Sequence, residues 1–188
     1  MATQTMGRYT VERLSASTWK IVQDDGKGQY PFLYAILGAD KCVVIDTGVG
    51  TGGFKRLLDL KVNTERLPYL VICTHVHFDH VGNNYEFLVR DDGSAVAAAE
   101  SPADAPPCVC MGNRDPKTTN NYELFSLGMA HGVTVKPFEI ARWLEDGATI
   151  TLDDANQTKY NELLILHTPG HSIDSIRCGI LTRGPSDK

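Results

Sequence analysis

Apolar and polar positions along this chain fall into short blocks, and the blocks define its elements. Residues 19–23 and 30–37 are rich in aromatic and β-branched side chains and flank an Asp24, Asp25, Gly26, Lys27, Gly28 turn, so they read as two strands. Residues 43–46 add a third. The glycines of 50–53 then lead into 54–60, where Phe54, Leu57 and Leu58 recur at helical spacing and predict a short amphipathic helix. Residues 69–73 are a continuous apolar, β-branched run, the pattern of a buried strand, and 81–88 read as a turn entering a helix. Further on, 94–98 is a weak strand, 121–129 helical, 148–152 a strand and 162–167 the last clear strand. The polar stretch 100–137 holds Pro102, Pro106, Pro107 and Pro116 and reads as an insertion or substrate-facing loop with some helix. Strands alternating with helices predict an α/β fold. There are no repeats and no point that would split the chain in two.

One segment departs from this ordinary patterning. Behind the apolar run 69–73 come Thr74, His75, Val76, His77, Phe78, Asp79 and His80, three imidazoles and a carboxylate within six positions. Those are the ligand types that zinc and similar divalent ions take, at about 2.0–2.2 Å. The cluster follows a strand's carboxyl end, where open α/β sheets place their ligands. In extended backbone alternate side chains share a face, so His75 and His77 point the same way and can share one metal. Beyond Phe78 the chain bends, and Asp79 and His80 can address a second position beside the first. The competing reading is a polar loop whose histidines cap a helix or satisfy backbone groups.

The His-x-His-x-Asp-His run resembles the ligand motif of the metallo-beta-lactamase superfamily, and two other stretches agree with it. Upstream, Cys42 to Ile45 followed by Asp46, Thr47 and Gly48 is similar to that family's strand ending in Asp-Thr-Gly. Downstream, Leu163 to His167, then Thr168, Pro169, Gly170, His171 and Ser172, is similar to its next ligand strand. The resemblance runs from about residue 19 to 176. It implies an αβ/βα sandwich, with residues 1–18 an amino-terminal extension and 19–188 the family domain. It makes His75, His77 and His171 the ligands of a first zinc and puts Asp79 and His80 on a second. Asp46 then stands behind a ligating histidine, where a carboxylate fixes ring orientation. Asp46 is also an ordinary turn residue, and His171 also reads as a loop histidine beside a Pro-Gly turn.

The family pattern continues into a Gly-Asp whose carboxylate bridges two metals, and later supplies another histidine. After His171 this sequence has Asp174 and Asp187 as its only acids, neither behind a glycine, and no histidine. The domain is therefore expected to be incomplete at its carboxyl end. The first site would have three protein ligands and an open position, the catalytic zinc arrangement, and the second would be weak or empty. The family's second sheet and final helices are expected to be largely absent.

Composition changes the picture in three ways. With 188 residues, 42% hydrophobic, the chain is long enough for one domain with a real core. A formal net charge of −5 offers no basic field for phosphate backbones and argues against nucleic-acid partners, which leaves a small-molecule substrate. No run approaches the roughly 18 apolar residues of a membrane span, and a cytoplasmic location is the default expectation. Five cysteines are read as reduced thiols: Cys42 and Cys73 as buried hydrophobes, Cys108 and Cys110 as a C-x-C too closely spaced for an ordinary zinc pair. His131 and His167 have no spaced partner, although His167 ends the strand that leads to His171.

The chemistry implied by the resemblance is hydrolysis of a small thioester or ester, acyl-coenzyme A among them, at one or two zinc ions, with Asp79 orienting the attacking water. The oligomeric state is not legible. The other expectation is an inactive, shortened isoform that binds metal weakly and serves as a non-catalytic partner.

Overall fold

The computed structural model describes residues 3–26, 28–88, 108–158 and 161–180. Eight strands form one sheet in sequence order: β1 (Thr3–Met6), β2 (Tyr9–Arg13), β3 (Thr18–Gln23), β4 (Phe32–Leu37), β5 (Cys42–Ile45), β6 (Tyr69–Ile72), β7 (Cys108–Gly112) and β8 (Arg142–Leu144). From β1 to β5 the neighbours are antiparallel, and from β5 to β8 they are parallel. A second, antiparallel sheet has β10 (Glu162–His167) between β9 (Thr149–Thr151) and β11 (Ile176–Ile180).

From β5 to β7 the first sheet is apolar on both faces, and the period of two sorts its residues. Cys42 and Val44 of β5, Tyr69 and Val71 of β6, and Val109 and Met111 of β7 join one core cluster with helix α1 (Phe54–Lys61). Val43, Ile45, Ile72 and Cys110 point the other way, into a second cluster with Ile150, Leu163, Ile165 and Ile176 of the second sheet. That explains why these parallel strands read as continuous apolar runs. The layers are helix, sheet, sheet, the sandwich expected from the sequence. Among the described residues no helix covers the outer face of the second sheet, where Leu166 stays 43% exposed.

Helix α1 forms because Phe54, Leu57 and Leu58 make one buried stripe, and its amino end is closed from outside. The Glu86 carboxylate accepts the Gly53 N–H at 2.5 Å and the Lys55 N–H at 2.8 Å, satisfying donors a helix start leaves open.

Several expectations change. Residues 1–18, read as an extension, supply β1 and β2, and Tyr9 and Val11 are buried in the core. The second sheet, expected to be largely absent, is present with three strands, because β11 forms after His171. Within 100–137, Cys108–Gly112 is an interior parallel strand, whereas α3 (Pro116–Asn120) and α4 (Tyr122–Phe125) supply the helix. The helix expected to start near residue 81 begins earlier. His77 is extended, and Phe78–Val81 makes a single turn, α2, followed by a 3-10 turn at Asn84–Leu88. The weak strand at 94–98 and Asp187 lie outside the described residues.

Candidate metal centre

His75 and His77 leave the carboxyl end of β6, and His171 sits on the connection between β10 and β11. His75 is 6% exposed, and His171 stands at the open side. The His75 Nε2 lies 3.1 Å from His77 Nδ1, which in turn lies 3.0 Å from His171 Nε2. All three donor atoms fall within 4.8 Å of one another. A zinc–nitrogen bond of about 2.0–2.1 Å gives a tetrahedral edge of about 3.3 Å, close to these separations. His77 Nδ1 faces two other ring nitrogens, and one ring atom cannot make a conventional hydrogen bond to both as a single donor or a single acceptor. Converging lone pairs are what a cation requires.

Electrostatics favour the neutral rings that a metal needs. Burial, aided by the neighbouring His80, His77 and His171, drives His75 down to about 3. Burial and then His171 lower His77.

Asp46 and His80 form the floor beside this cluster. Asp46 is 3% exposed and sits in the left-handed region at φ 61°. Its Oδ1 accepts the Thr74 N–H at 2.7 Å, and its Oδ2 accepts the Thr74 hydroxyl at 2.8 Å and faces His80 Nδ1 at 2.7 Å. His80 therefore turns Nε2 toward Asp79, whose Oδ2 is 3.4 Å away. Burial would lower His80, but the bond and charge of Asp46, with Asp79, raise it to about 10. Burial likewise works against ionised Asp79, and His80 more than compensates and holds it low. Asp46 thus orients His80 directly, and reaches His75 only through Thr74, whose Oγ1 is 3.1 Å from His75 Nδ1. Asp79 and His80 stay outside the three-histidine group, although the His80 ring centroid lies 4.1 Å from that of His75.

A polar network that the sequence did not reveal locks the β5–α1 loop onto the metal loop. Asn83 Nδ2 donates to Thr47 O at 2.5 Å, Asn83 Oδ1 accepts Gly52 N–H at 2.9 Å, and Thr47 N donates to His80 O at 2.7 Å. Gln23, fully buried at the end of β3, accepts Val49 N–H at 2.7 Å and donates to Thr51 Oγ1 at 2.6 Å. The two loops touch so closely that a Cβ on Gly82 would lie 2.4 Å from Gly50 N and 2.5 Å from Gly48 O. Asn83 and Asn84 directly after Gly82 were the available signal; a lone glutamine in a strand gave none.

The remaining sequence candidates fall elsewhere. The His167 ring bonds Leu144 O at 2.9 Å, away from the cluster, and His131 stacks on Phe78 with ring centroids 4.9 Å apart. Cys42, Cys73 and Cys110 are buried. Asp174 is buried too, bonded to the hydroxyls of Ser172 and Thr119.

Comparison with known proteins gives a consistent result. The sequence pattern of the metallo-beta-lactamase superfamily matches residues 28–183. The human acyl-coenzyme A thioesterase MBLAC2 (Homo sapiens) is 31% identical over 159 residues, which is 77% of this chain and 52% of the thioesterase. The avaE protein of Aspergillus versicolor, whose name places it among transcription factors, is 27% identical over 188 residues, 88% of this chain and 51% of avaE. Among solved structures, the subclass B3 metallo-beta-lactamase BJP-1 of Bradyrhizobium japonicum superposes with a TM-score of 0.62 at 20% identity, covering 95% of this chain and 58% of that one. The chain spans about half the length of the curated relatives it matches.

Proposed function

The chain belongs to the metallo-beta-lactamase superfamily, and from that premise we propose that it carries the metal site of a zinc-dependent hydrolase acting on a small thioester or ester, with acyl-coenzyme A the first candidate. The observation that carries this reading is the convergence of His75, His77 and His171, three imidazoles whose ring nitrogens have the geometry of a three-nitrogen zinc site. When bound there, zinc polarises an acyl carbonyl and lowers the pKa of water to about 7. The residues around it do the positioning. Asp79, kept as a carboxylate by His80, accepts a hydrogen bond from the attacking water and orients it. His80, fixed by Asp46, holds Asp79 in place, and would have to give up the Nε2 proton it turns toward Asp79 in order to help hold a second ion. The printed name of the human relative supplies the thioester preference, and the charge of −5 keeps nucleic acid out of the reading.

The test is zinc content by metal analysis together with acyl-coenzyme A hydrolysis, for the wild-type chain and His77→Ala. Retained zinc with hydrolysis that both chelator and the substitution abolish is expected. A chain without zinc sinks the metal reading. Zinc retained without hydrolysis of any thioester or ester favours the second reading, a metal-binding but non-catalytic protein. That reading draws support from the second position, where Asp79 and His80 are the sequence's two candidates.

A further inference from the structure

His171 differs from the other two candidate ligands. His75 and His77 follow an interior strand, but His171 is exposed and lies in the connection from β10 to β11. A ligand on such a connection must be ordered by something else, or binding pays for its immobilisation. Three residues on stands Asp174, 1% exposed, in a turn knit by Thr168 N–H to Ser175 O at 2.8 Å and Ser172 N–H to Ser175 Oγ at 3.2 Å. Asp174 Oδ1 accepts the Ser172 hydroxyl, beside His171. Its Oδ2 accepts from Thr119 Oγ1 at 3.3 Å, and Thr119 is fully buried on α3.

The other end of the same helical segment holds the other ligand loop. Ser126 O accepts the Phe78 N–H at 2.8 Å, and a Cβ on Gly128 would rest 3.4 Å from that of Phe78. Between them Leu127 sits at φ 61°, a conformation a leucine rarely takes. Residues 115–128 therefore span the gap, touching the His75–His77 loop at Phe78 and the His171 loop at Asp174.

We infer that this segment is a brace that sets the spacing of the two ligand loops, and that Asp174, held by Thr119, is the positioning residue through which it places His171. The inference rests on the zinc-site reading above. Asp174 acts through His171 and is not itself a ligand.

The experiment is a zinc competition titration and the cobalt(II) absorption spectrum of the full chain, for wild type, Asp174→Asn, Thr119→Val, His171→Ala and the His171→Ala/Asp174→Asn pair. Asp174→Asn is expected to weaken zinc binding by about ten- to a hundredfold and to alter the cobalt spectrum, while metal-free unfolding stays near wild type. Added to His171→Ala it should change nothing further. Wild-type affinity and spectrum in Asp174→Asn overturn the inference, and so does a full-sized loss that persists without His171. If Asp174→Asn does not fold, Thr119→Val decides: weaker zinc and a shifted spectrum support the brace, and wild-type behaviour overturns it. A wild-type chain that takes up neither ion overturns the zinc site itself, which is a different failure.

Discussion

The Thr47 hydroxyl donates to Asn84 Oδ1 at 2.8 Å, and both groups are buried. Thr47 follows Asp46 just beyond the end of β5, and Asn84 follows the turn that carries Asp79 and His80. Their contact joins the loop after β5 to the loop behind α2, and the same hydroxyl also approaches His80 O at 3.1 Å. Thr47→Val keeps the shape and removes the hydroxyl, leaving the Asn83 N–H and the Asn84 amide short of a partner. A loss of about 1–3 kcal/mol in urea unfolding is expected. Unchanged stability would mean that this contact joins nothing.

Gly82→Ala tests the approach of the same two loops from the backbone side. The obstructing atoms belong to the main chain of Gly48, Val49 and Gly50, so no side chain can swing aside. The variant is expected to unfold at least 10 °C below wild type or to be recovered insoluble, through overpacking and loss of loop contact. A thermal scan that matches wild type contradicts the close approach.

Two histidine substitutions should part company in metal analysis. His77→Ala removes the nitrogen that both His75 and His171 approach, and retained zinc should fall to background. His167→Ala removes a ring engaged with Leu144 O, and zinc content should stay at the wild-type level. Equal losses from both would show that the cluster is drawn around the wrong residues.

The metal-free chain should be most stable near pH 6.5. His75, held at about 3 when folded against about 6.5 unfolded, leaves the unfolded chain with the extra proton in that interval, so stability falls as pH drops below 6.5. His80, raised to about 10, carries the extra proton in the folded chain, so its contribution is complete below 6.5 and is lost as pH rises toward 10. Thermal unfolding in chelator across pH 4–10 reads both slopes. A midpoint rising steadily from pH 7 to 10 would contradict the Asp46–His80 pairing.

Zinc should stabilise the folded chain by mass action. At a free concentration about a hundredfold above the dissociation constant the gain is about 2.7 kcal/mol, and chelator should remove it. A transition indifferent to both would leave the three imidazoles without a metal to hold.

The pair His75 and His77 was legible as a ligand candidate because metal chemistry demands rare residues in tight spacing, whereas His171, 94 positions beyond His77, was reached only through the family resemblance of its Pro-Gly-His-Ser segment. Strands β5, β6 and β10 were legible because both-sided or alternating burial leaves an apolar run. Other parts were silent for physical reasons. Strands β1 and β2 bury only Tyr9 and Val11 deeply, and β8 is three residues long, too little pattern to register. Strand β11 carries Arg177 and Gly179 among its five residues and follows a dense turn, so its apolar positions look incidental. Gln23, Thr119 and Asp174 matter through partners far along the chain, and single residues announce no such partners.

The split of the ligand set across the sequence has a consequence for synthesis. His77 and His171 are 94 positions apart, so on a ribosome adding about 5–20 residues per second the first two nitrogens precede the third by roughly 5–20 s. Through that interval the emerging chain offers a two-nitrogen chelate with nothing opposite it. On the zinc-site reading, high-affinity capture of the ion would wait until the second sheet has closed over the first, so metal retention would report that β10 and β11 have arrived.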